Sequence, residues 1–427
     1  MMRFTKYVIA FTLTTSLFSQ VPIQTFVLPS GLVCKLIENH NKPLIHVQIV
    51  NRWNIDGLVP KKAGLSELLA TTIGAIATNK YTNGKHNDQY NELAFRAVTG
   101  SYYWSITTDS YSQEAALELL ANTIIHPNIN STIVEKQRQA LLKQYAYLSP
   151  HSLALNRFLR SVGDSTVLTP IEVTALGNVS YQDLLSFKQL IIRPEASLIA
   201  FYGDLNIAQA KQLVMLHFGT WDSSKKLISQ QLCLSDNYSN GPEITTTPKS
   251  ESEAKLWIGV SCPNGNINQA TSLLLPIVLN RITKSLSREL QIDFSLSTNL
   301  QHLLIKTQIP KADATRLFIT VISTLDKLQK SRISSEDLRR ALVQWNAEND
   351  ALLLHPTNLL RKVVNGMLEP ELLQAVKQVT ADNLNQAIKL WLKPERARIL
   401  LLGADTPEQQ DMEKVGLYAW INRGSTS

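Results

Sequence analysis

The sequence predicts a duplicated fold: two tandem domains of one design, each mixing helices with strands. Three observations predict it. The stretches Val179–Asp204 and Val379–Asp405 follow the same pattern, with matching residues 200 positions apart (379 − 179 = 200). A chain of 427 residues suits two or three domains, and 44% hydrophobic residues suffice for ordinary cores. A polar stretch from Asp222 to Lys255, rich in Ser, Asn, Gly, Pro and Thr, divides the chain as a linker would.

Each copy of the repeat reads as a helix followed by a strand. Ser180 and Thr380 are side-chain oxygens placed to cap a helix whose first turn carries Asp183 or Asp382. Leu184, Leu185 and Phe187 begin an apolar face in the first copy, and Leu384, Ala387, Ile388 and Trp391 line one in the second. Pro194 and Pro394 end the helices. The apolar runs Ser197–Tyr202 and Arg398–Leu402 are short enough for buried strands, and Gly203 and Gly403 stop them. A period this long means duplicated domains rather than a solenoid. The first domain is expected over 21–221, the linker over 222–255 and the second domain over 256–427.

The amino terminus, residues 1–20, reads as an export signal. Arg3 and Lys6 supply a positive start, and Tyr7–Phe18 is an apolar core too short to span a bilayer. Export to a bacterial periplasm follows, with no stable membrane insertion after cleavage. An uncleaved anchor or a buried first strand are the alternatives.

Composition excludes several function classes. A formal charge of +7, with Lys and Arg scattered and no aromatic-basic motif, does not support nucleic-acid binding. Cys34, Cys233 and Cys262 are too far apart in sequence for a metal cluster, and Cys34, inside the strand-like run Leu32–Ile37, reads as a buried free thiol. No two of the eight histidines stand three or four residues apart, so a helical zinc pair is missing. Nucleophile-elbow, phosphate-loop and dinucleotide motifs are absent as well.

An ordered set of landmarks nevertheless carries a resemblance. Phe26-Val-Leu-Pro-Ser-Gly-Leu32, Pro43, Lys62-Ala-Gly-Leu-Ser-Glu-Leu-Leu69, His126-Pro127, Val179-Ser180, Arg193-Pro194 and Gly203-Asp204 resemble the insulinase-type zinc peptidases, the family of pitrilysin and the mitochondrial processing peptidase. The resemblance covers nearly the whole chain after the leader. It implies an α+β fold of two tandem homologous domains, each an antiparallel β-sheet with helices packed on one face, as in the metallohydrolase fold of LuxS and the processing peptidase.

Active members of that family carry His-x-x-Glu-His on the helix after Gly-Leu. Register against Ala63-Gly64-Leu65 puts that motif at Glu67, Ala70 and Thr71, where all three residues have changed. Helical spacing makes Leu65, Leu68, Leu69, Ile73 and Ile76 the buried stripe and leaves Glu67, Ala70, Thr71 and Gly74 on the other face. The third ligand is expected at Gln144, on a helix that Thr132 and Glu135 are placed to start as a capping box. The family's substrate-gripping arginine and tyrosine fall at Ser287 and Phe294. Tyr103 and Trp104 lie in a segment resembling the substrate-pairing edge, where their bulk would fill the groove.

The resemblance therefore implies a pseudo-peptidase with no catalytic residue, no metal and no cofactor of its own, zinc being expected only in a partner. The leading reading is the non-catalytic subunit of a heterodimeric zinc peptidase that encloses a chamber for peptides. A homodimeric scaffold or peptide-binding module is the alternative. Residual metallopeptidase activity, through Glu67 with His86 or His126, is a further one.

Overall fold

The computed structural model describes residues 22–52, 64–83, 93–98, 101–161, 175–221, 243–246, 253–261, 269–290, 294–298, 302–310, 330, 332–352, 355–391 and 397–402. The expected signal, Cys233, Cys262, His86 and Gly403 lie outside these residues.

The first sheet is built from β1 (Gln24–Val27), β2 (Val33–Glu38), β3 (Leu44–Arg52), β4 (Leu93–Val98), β5 (Ser101–Asp109) and β6 (Ser197–Gly203), in the order β1-β2-β6-β3-β5-β4. The second uses β7 (Glu243–Thr246), β8 (Glu253–Ser261), β9 (Phe294–Thr298), β10 (His302–Pro310) and β11 (Ala397–Leu402), in the order β7-β11-β8-β10-β9. Dropping β1 makes the two orders identical, strand for strand. In each, the repeat strand (β6 or β11) runs parallel to one neighbour (β2 or β7) and antiparallel to the other (β3 or β8). Duplication is thus written in the topology as well as in the 200-residue register.

Helices α1 (Leu65–Asn83), α2 (Gln113–Ile124), α3 (Ser131–Ala146), α4 (Pro150–Ser161), α5 (Tyr181–Ile191) and α6 (Ile207–Phe218) belong to the first half. Helices α7 (Gln269–Leu290), α8 (Ser335–Leu352), α9 (Pro356–Val364), α10 (Pro370–Lys377) and α11 (Ala381–Trp391) belong to the second. The repeat helices are capped as their sequences require. Ser180 Oγ accepts from Asp183 N at 3.1 Å while Ser180 N donates to Asp183 Oδ2 at 3.0 Å. Thr380 and Asn383 make the same reciprocal pair, at 3.2 and 2.9 Å. Helix α3 differs from expectation: it starts at Ser131 and its cap is Asn130, whose side chain accepts from Ile133 N at 2.9 Å. An asparagine one step earlier satisfies the first free N–H groups, so Glu135 is released to pair with Arg138 at 2.9 Å.

Gly203 ends β6 at φ +135°, and a Cβ there would lie 2.0 Å from the Leu44 carbonyl oxygen. Only glycine makes that turn.

Two features of the expected architecture are corrected. Each sheet is mixed rather than purely antiparallel, because the repeat strand enters beside β2 or β7 after a helical crossover, which delivers it parallel. Helices also cover both faces. One face of the first sheet carries the main core, where α1, α2, α3, α5 and α6 pack on Cys34, Leu36, Ile49, Trp104 and Phe201. The opposite face is covered by α9 from the second half, through Leu359, Leu360, Val363 and Val364 against Ile37, Val50 and Ala200. In return, α4 of the first half lays Ala154 and Phe158 on Leu400 and Leu402 of the second sheet, with Leu155, Leu159 and Trp257 alongside. The exchanged helices share one stripe: 154, 155, 158 and 159 match 359, 360, 363 and 364 at a constant offset of 205 (359 − 154 = 205). Lys35 of β2 also pairs with Glu369 across the junction.

The stretch 222–255 is not solely a connection. It contains β7 and the first residues of β8, because Ile244 and its neighbouring threonines suit a strand and pair with β11 over Arg398–Leu401. Cys34 is a free, fully buried thiol on β2, and burial pushes it up to about 12.

Candidate functional site

The site suggested by the sequence sits where α1 meets β4, α3 and the start of β5. Leu65, Leu68, Leu69, Ile73 and Ile76 form the buried stripe of α1, as expected. The face opposite is less open than helical spacing implies. Ala70 is only 9% exposed and belongs to the main core, and Gly74 approaches Phe95 of β4 so closely that a Cβ would come within 3.3 Å of its ring. The helix is clamped between the sheet and α3, so burial spreads around more of its circumference than one stripe.

Of the four positions only Glu67 carries a carboxylate, and none carries an imidazole. Thr71 turns its hydroxyl back to its own helix, donating to the carbonyls of Glu67 at 3.0 Å and Leu68 at 3.1 Å. Thr72 does the same to Leu68 at 2.6 Å. Ala70 has no donor atom. Gln144 is exposed on α3, the helix packed against α1, and Glu67 is half-buried in the first turn of α1. Among the described residues no group of three or more His, Cys, Asp or Glu side chains is placed to hold a metal ion. His126 is exposed.

The segment Tyr102–Trp104 behaves differently from expectation. β5 is internal, flanked by β3 and β4, so among the described residues β4 lies at that edge of the sheet. Trp104 is fully buried against Phe95 and Tyr102 and fills core rather than groove. Tyr103 points to the opposite face, where its hydroxyl donates to Asn365 Oδ1 at 3.1 Å after α9. Alternation along the strand sends these neighbours to opposite faces, so they cannot act together. Tyr102, which the sequence reading passed over, donates to the Ser66 carbonyl at 2.8 Å and pins the start of α1 to the sheet. Burial raises its phenol far above the ordinary range, and the nearby Glu67 charge adds to this. Its signal was the small Ser-Tyr pair at a strand start, too common to single out.

Ser287 lies near the end of α7, and Phe294 opens β9 opposite Thr307. Their side chains lie outside the described residues. A cleft of about 400 Å³ opens between the starts of α3 and α5, lined by Ser131, Glu135, Arg138, Asn178 and Tyr181 among others. Arg138 bonds the Val179 carbonyl and Glu135 there, which ties the two helices together.

Comparison with known proteins places this geometry. Residues 178–344 match the family described as "Peptidase M16 inactive domain", a span that starts at the first repeat helix and runs into the second half. That stretch of the chain is similar to the M16 peptidase family. A protease from Helicobacter pylori superposes on this chain with a TM-score of 0.73 and 15% identity, covering 89% of this chain and 99% of that one. A peptidase M16 inactive domain from Pseudomonas fluorescens gives 0.69 and 14%, covering 91% and 99%. The first half of the periplasmic protease PqqL from Escherichia coli gives 0.65 and 12%, covering 95% and 97%. A search of curated proteins gave no match. The structural likenesses establish the fold. Among the described residues, no helix is long and apolar enough to cross a membrane.

Proposed function

We propose that the chain is the non-catalytic half of a two-chain zinc peptidase, shaping a chamber for peptides around a zinc-bearing sister subunit. The observation that carries this reading is the condition of α1. The helix keeps its buried stripe, its Tyr102 anchor and its packing on α3, while Glu67, Ala70, Thr71 and Gln144 offer one carboxylate and no imidazole.

Magnitudes weigh against chemistry on this half. Zinc lowers the pKa of bound water from about 15.7 to about 7, equivalent to roughly 12 kcal/mol. A well-placed general base supplies about 10² to 10⁴-fold, or roughly 3 to 5 kcal/mol, so Glu67 alone falls well short. A sister chain carrying His-x-x-Glu-His would supply the metal. The bacterial periplasm is the proposed compartment, supported by the leader-like start and by the PqqL half, which is described as periplasmic.

The test mixes the purified chain with a candidate sister and follows size by light scattering and cleavage of a quenched peptide. A defined complex with altered cleavage is expected. No complex and unchanged cleavage overturns the proposal, and a stable homodimer indifferent to the sister replaces it with the scaffold reading.

A further inference from the structure

Polar contacts that hold α9 on the first sheet converge on one residue. Asn365 Oδ1 accepts from the Tyr103 hydroxyl at 3.1 Å and from Arg52 Nη2 at 3.1 Å, and Arg52 also bonds the Val364 carbonyl just before it. Tyr103 belongs to β5 and Arg52 to β3, so two strands of the first half grip the end of a helix of the second. Asn365 is followed by Gly366, and the chain has three more Asn-Gly pairs, Asn83-Gly84, Asn240-Gly241 and Asn264-Gly265.

An Asn-Gly pair is open to attack on itself. The backbone nitrogen after the asparagine attacks the side-chain Cγ: a C–N bond forms, the Cγ–Nδ2 bond breaks and ammonia leaves, closing a succinimide. Water then opens the ring at either carbonyl, giving aspartate or isoaspartate. Glycine favours this because no side chain shields its nitrogen. The fold itself asks for glycine here, since Gly366 stands at φ +67° where α9 ends in a Schellman turn. Gly366 N donates to the Val363 carbonyl at 3.0 Å, and Met367 N to the Lys362 carbonyl at 2.9 Å.

Two effects oppose each other at this site. Arg52 and Tyr103 both donate to the oxygen on which charge would develop, an arrangement worth about 10²–10³-fold per donor in acyl chemistry. The nucleophile, however, is held away. Its N–H is committed to Val363, and Asn365 at φ −88° and ψ 5° must be rotated out of the turn before that nitrogen reaches Cγ. Alignment of reacting atoms is worth effective concentrations up to about 10⁵–10⁸ M, so orientation outweighs the donors and the docked turn is the inert state.

We infer that Asn365-Gly366 is a self-modification site guarded by the docking of α9 on the first sheet, so that it records openings of the junction between the halves. The two products differ in consequence. Aspartate at position 365 keeps both acceptor contacts and sets a carboxylate beside the Arg52 guanidinium. Isoaspartate adds a methylene to the main chain, pulls Gly366 out of the Schellman turn and carries the acceptor away from Arg52 and Tyr103, so an opened junction stays open. The inference goes beyond the peptidase reading and concerns this chain by itself, with or without a sister subunit.

The experiment ages the full chain at mildly alkaline pH and follows each Asn-Gly peptide by mass spectrometry, with enzymatic isoaspartyl methylation to tell the isomers apart. The same chain in urea gives the unguarded rate. Conversion at Asn365 is expected to be about ten-fold slower or more in the native chain than in urea. Leu360→Ala, which loosens α9, should raise it about 30-fold or up to the urea rate, because the open population sets the rate. Arg52→Met removes two bonds to the turn and no core, and should raise it about three-fold or more with the other three pairs unchanged. If Leu360→Ala speeds all four pairs together, the chain has unfolded at large and Arg52→Met decides. Native conversion at the urea rate would overturn the inference. So would an unchanged or slower rate in Arg52→Met, the slower rate being the mark of donors that drive the reaction rather than guard against it.

Discussion

Replacing Leu360 by alanine should loosen the first sheet, although Leu360 belongs to the second half of the chain. Leu360 is 2% exposed on α9, in a cluster with Ile37, Val50 and Ala200 of β2, β3 and β6. Leu→Ala at a well-packed buried site costs about 2–5 kcal/mol, against about 0.5 kcal/mol or less for a surface change. At 1.4 kcal/mol per decade, the expected loss raises the population of open states roughly 30-fold to several thousand-fold. Hydrogen-exchange mass spectrometry on the intact chain reads this peptide by peptide. Faster exchange is expected over Leu44–Arg52 and Ser197–Gly203. The reciprocal variant, Phe158→Ala in α4, removes a 5% exposed ring lying 6.3 Å from the Trp257 ring centre and should release Ala397–Leu402 and Glu253–Ser261. If each variant disturbed only the half that encodes it, the helix exchange would not be holding the halves together and the reasoning would fail.

Three further outcomes follow from the geometry. Ser180→Ala and Thr380→Ala remove equivalent caps, so each should cost about 1 kcal/mol in chemical denaturation; a large difference between them would break the equivalence of the two copies. Ala70→Glu, which restores the family's acidic residue, drives a carboxylate into a site 9% exposed and should destabilise by about 1–3 kcal/mol; full stability would show that this face of α1 is open after all. His40 Nδ1 lies 2.7 Å from Asp204 Oδ1, and that hydrogen bond raises His40 above its ordinary 6.5 and holds Asp204 below its ordinary 3.8. A raised histidine stabilises fully below 6.5 and loses that effect as pH rises through its folded value, while a depressed carboxylate contributes above 3.8, so the clasp is complete between these limits. An NMR titration should return His40 toward 6.5 in Asp204→Asn; an unchanged midpoint would remove the clasp.

What could be read from the sequence was what neighbours in sequence decide. Caps answer to residues three apart, so Ser180 with Asp183 and Thr380 with its helix were legible, although Asn383 rather than Asp382 closes the second pair. Cys34 in an apolar strand was legible for the same reason. Illegible features depended on which segments meet. A strand cannot announce its neighbours, so β5 passed for an edge and β7 was absorbed into a polar linker. One signal was read only in part: the apolar run Ser197–Tyr202 marks a buried strand, and β6 is in fact buried at Ser197, Ile199, Ala200, Phe201 and Gly203, nearly without alternation, as a strand covered on both faces is. The second cover for that strand had to come from somewhere. The matching stripes at 154–159 and 359–364 name it, once the period is sought outside the Val179 unit.

The exchanged helices also bear on which residues the fold itself requires. Each sheet lacks a cover on one face until the other half supplies it, so neither half can bury its own strands fully. Ile37, Val50 and Ala200 would face water without α9, and burying side chains of this class is worth about 1.5–3 kcal/mol each for the larger ones. A change at Glu67, Thr71 or Gln144 touches none of these contacts, since Thr71 bonds only its own helix turn and Gln144 is exposed. Changes at Leu68, Trp104 or Leu360 remove core. The fold therefore tolerates change at Glu67, Thr71 or Gln144 far better than loss of the elements that carry them. A chain needed only to complete a shell, as proposed above, would have to keep the second group and would be free to vary the first.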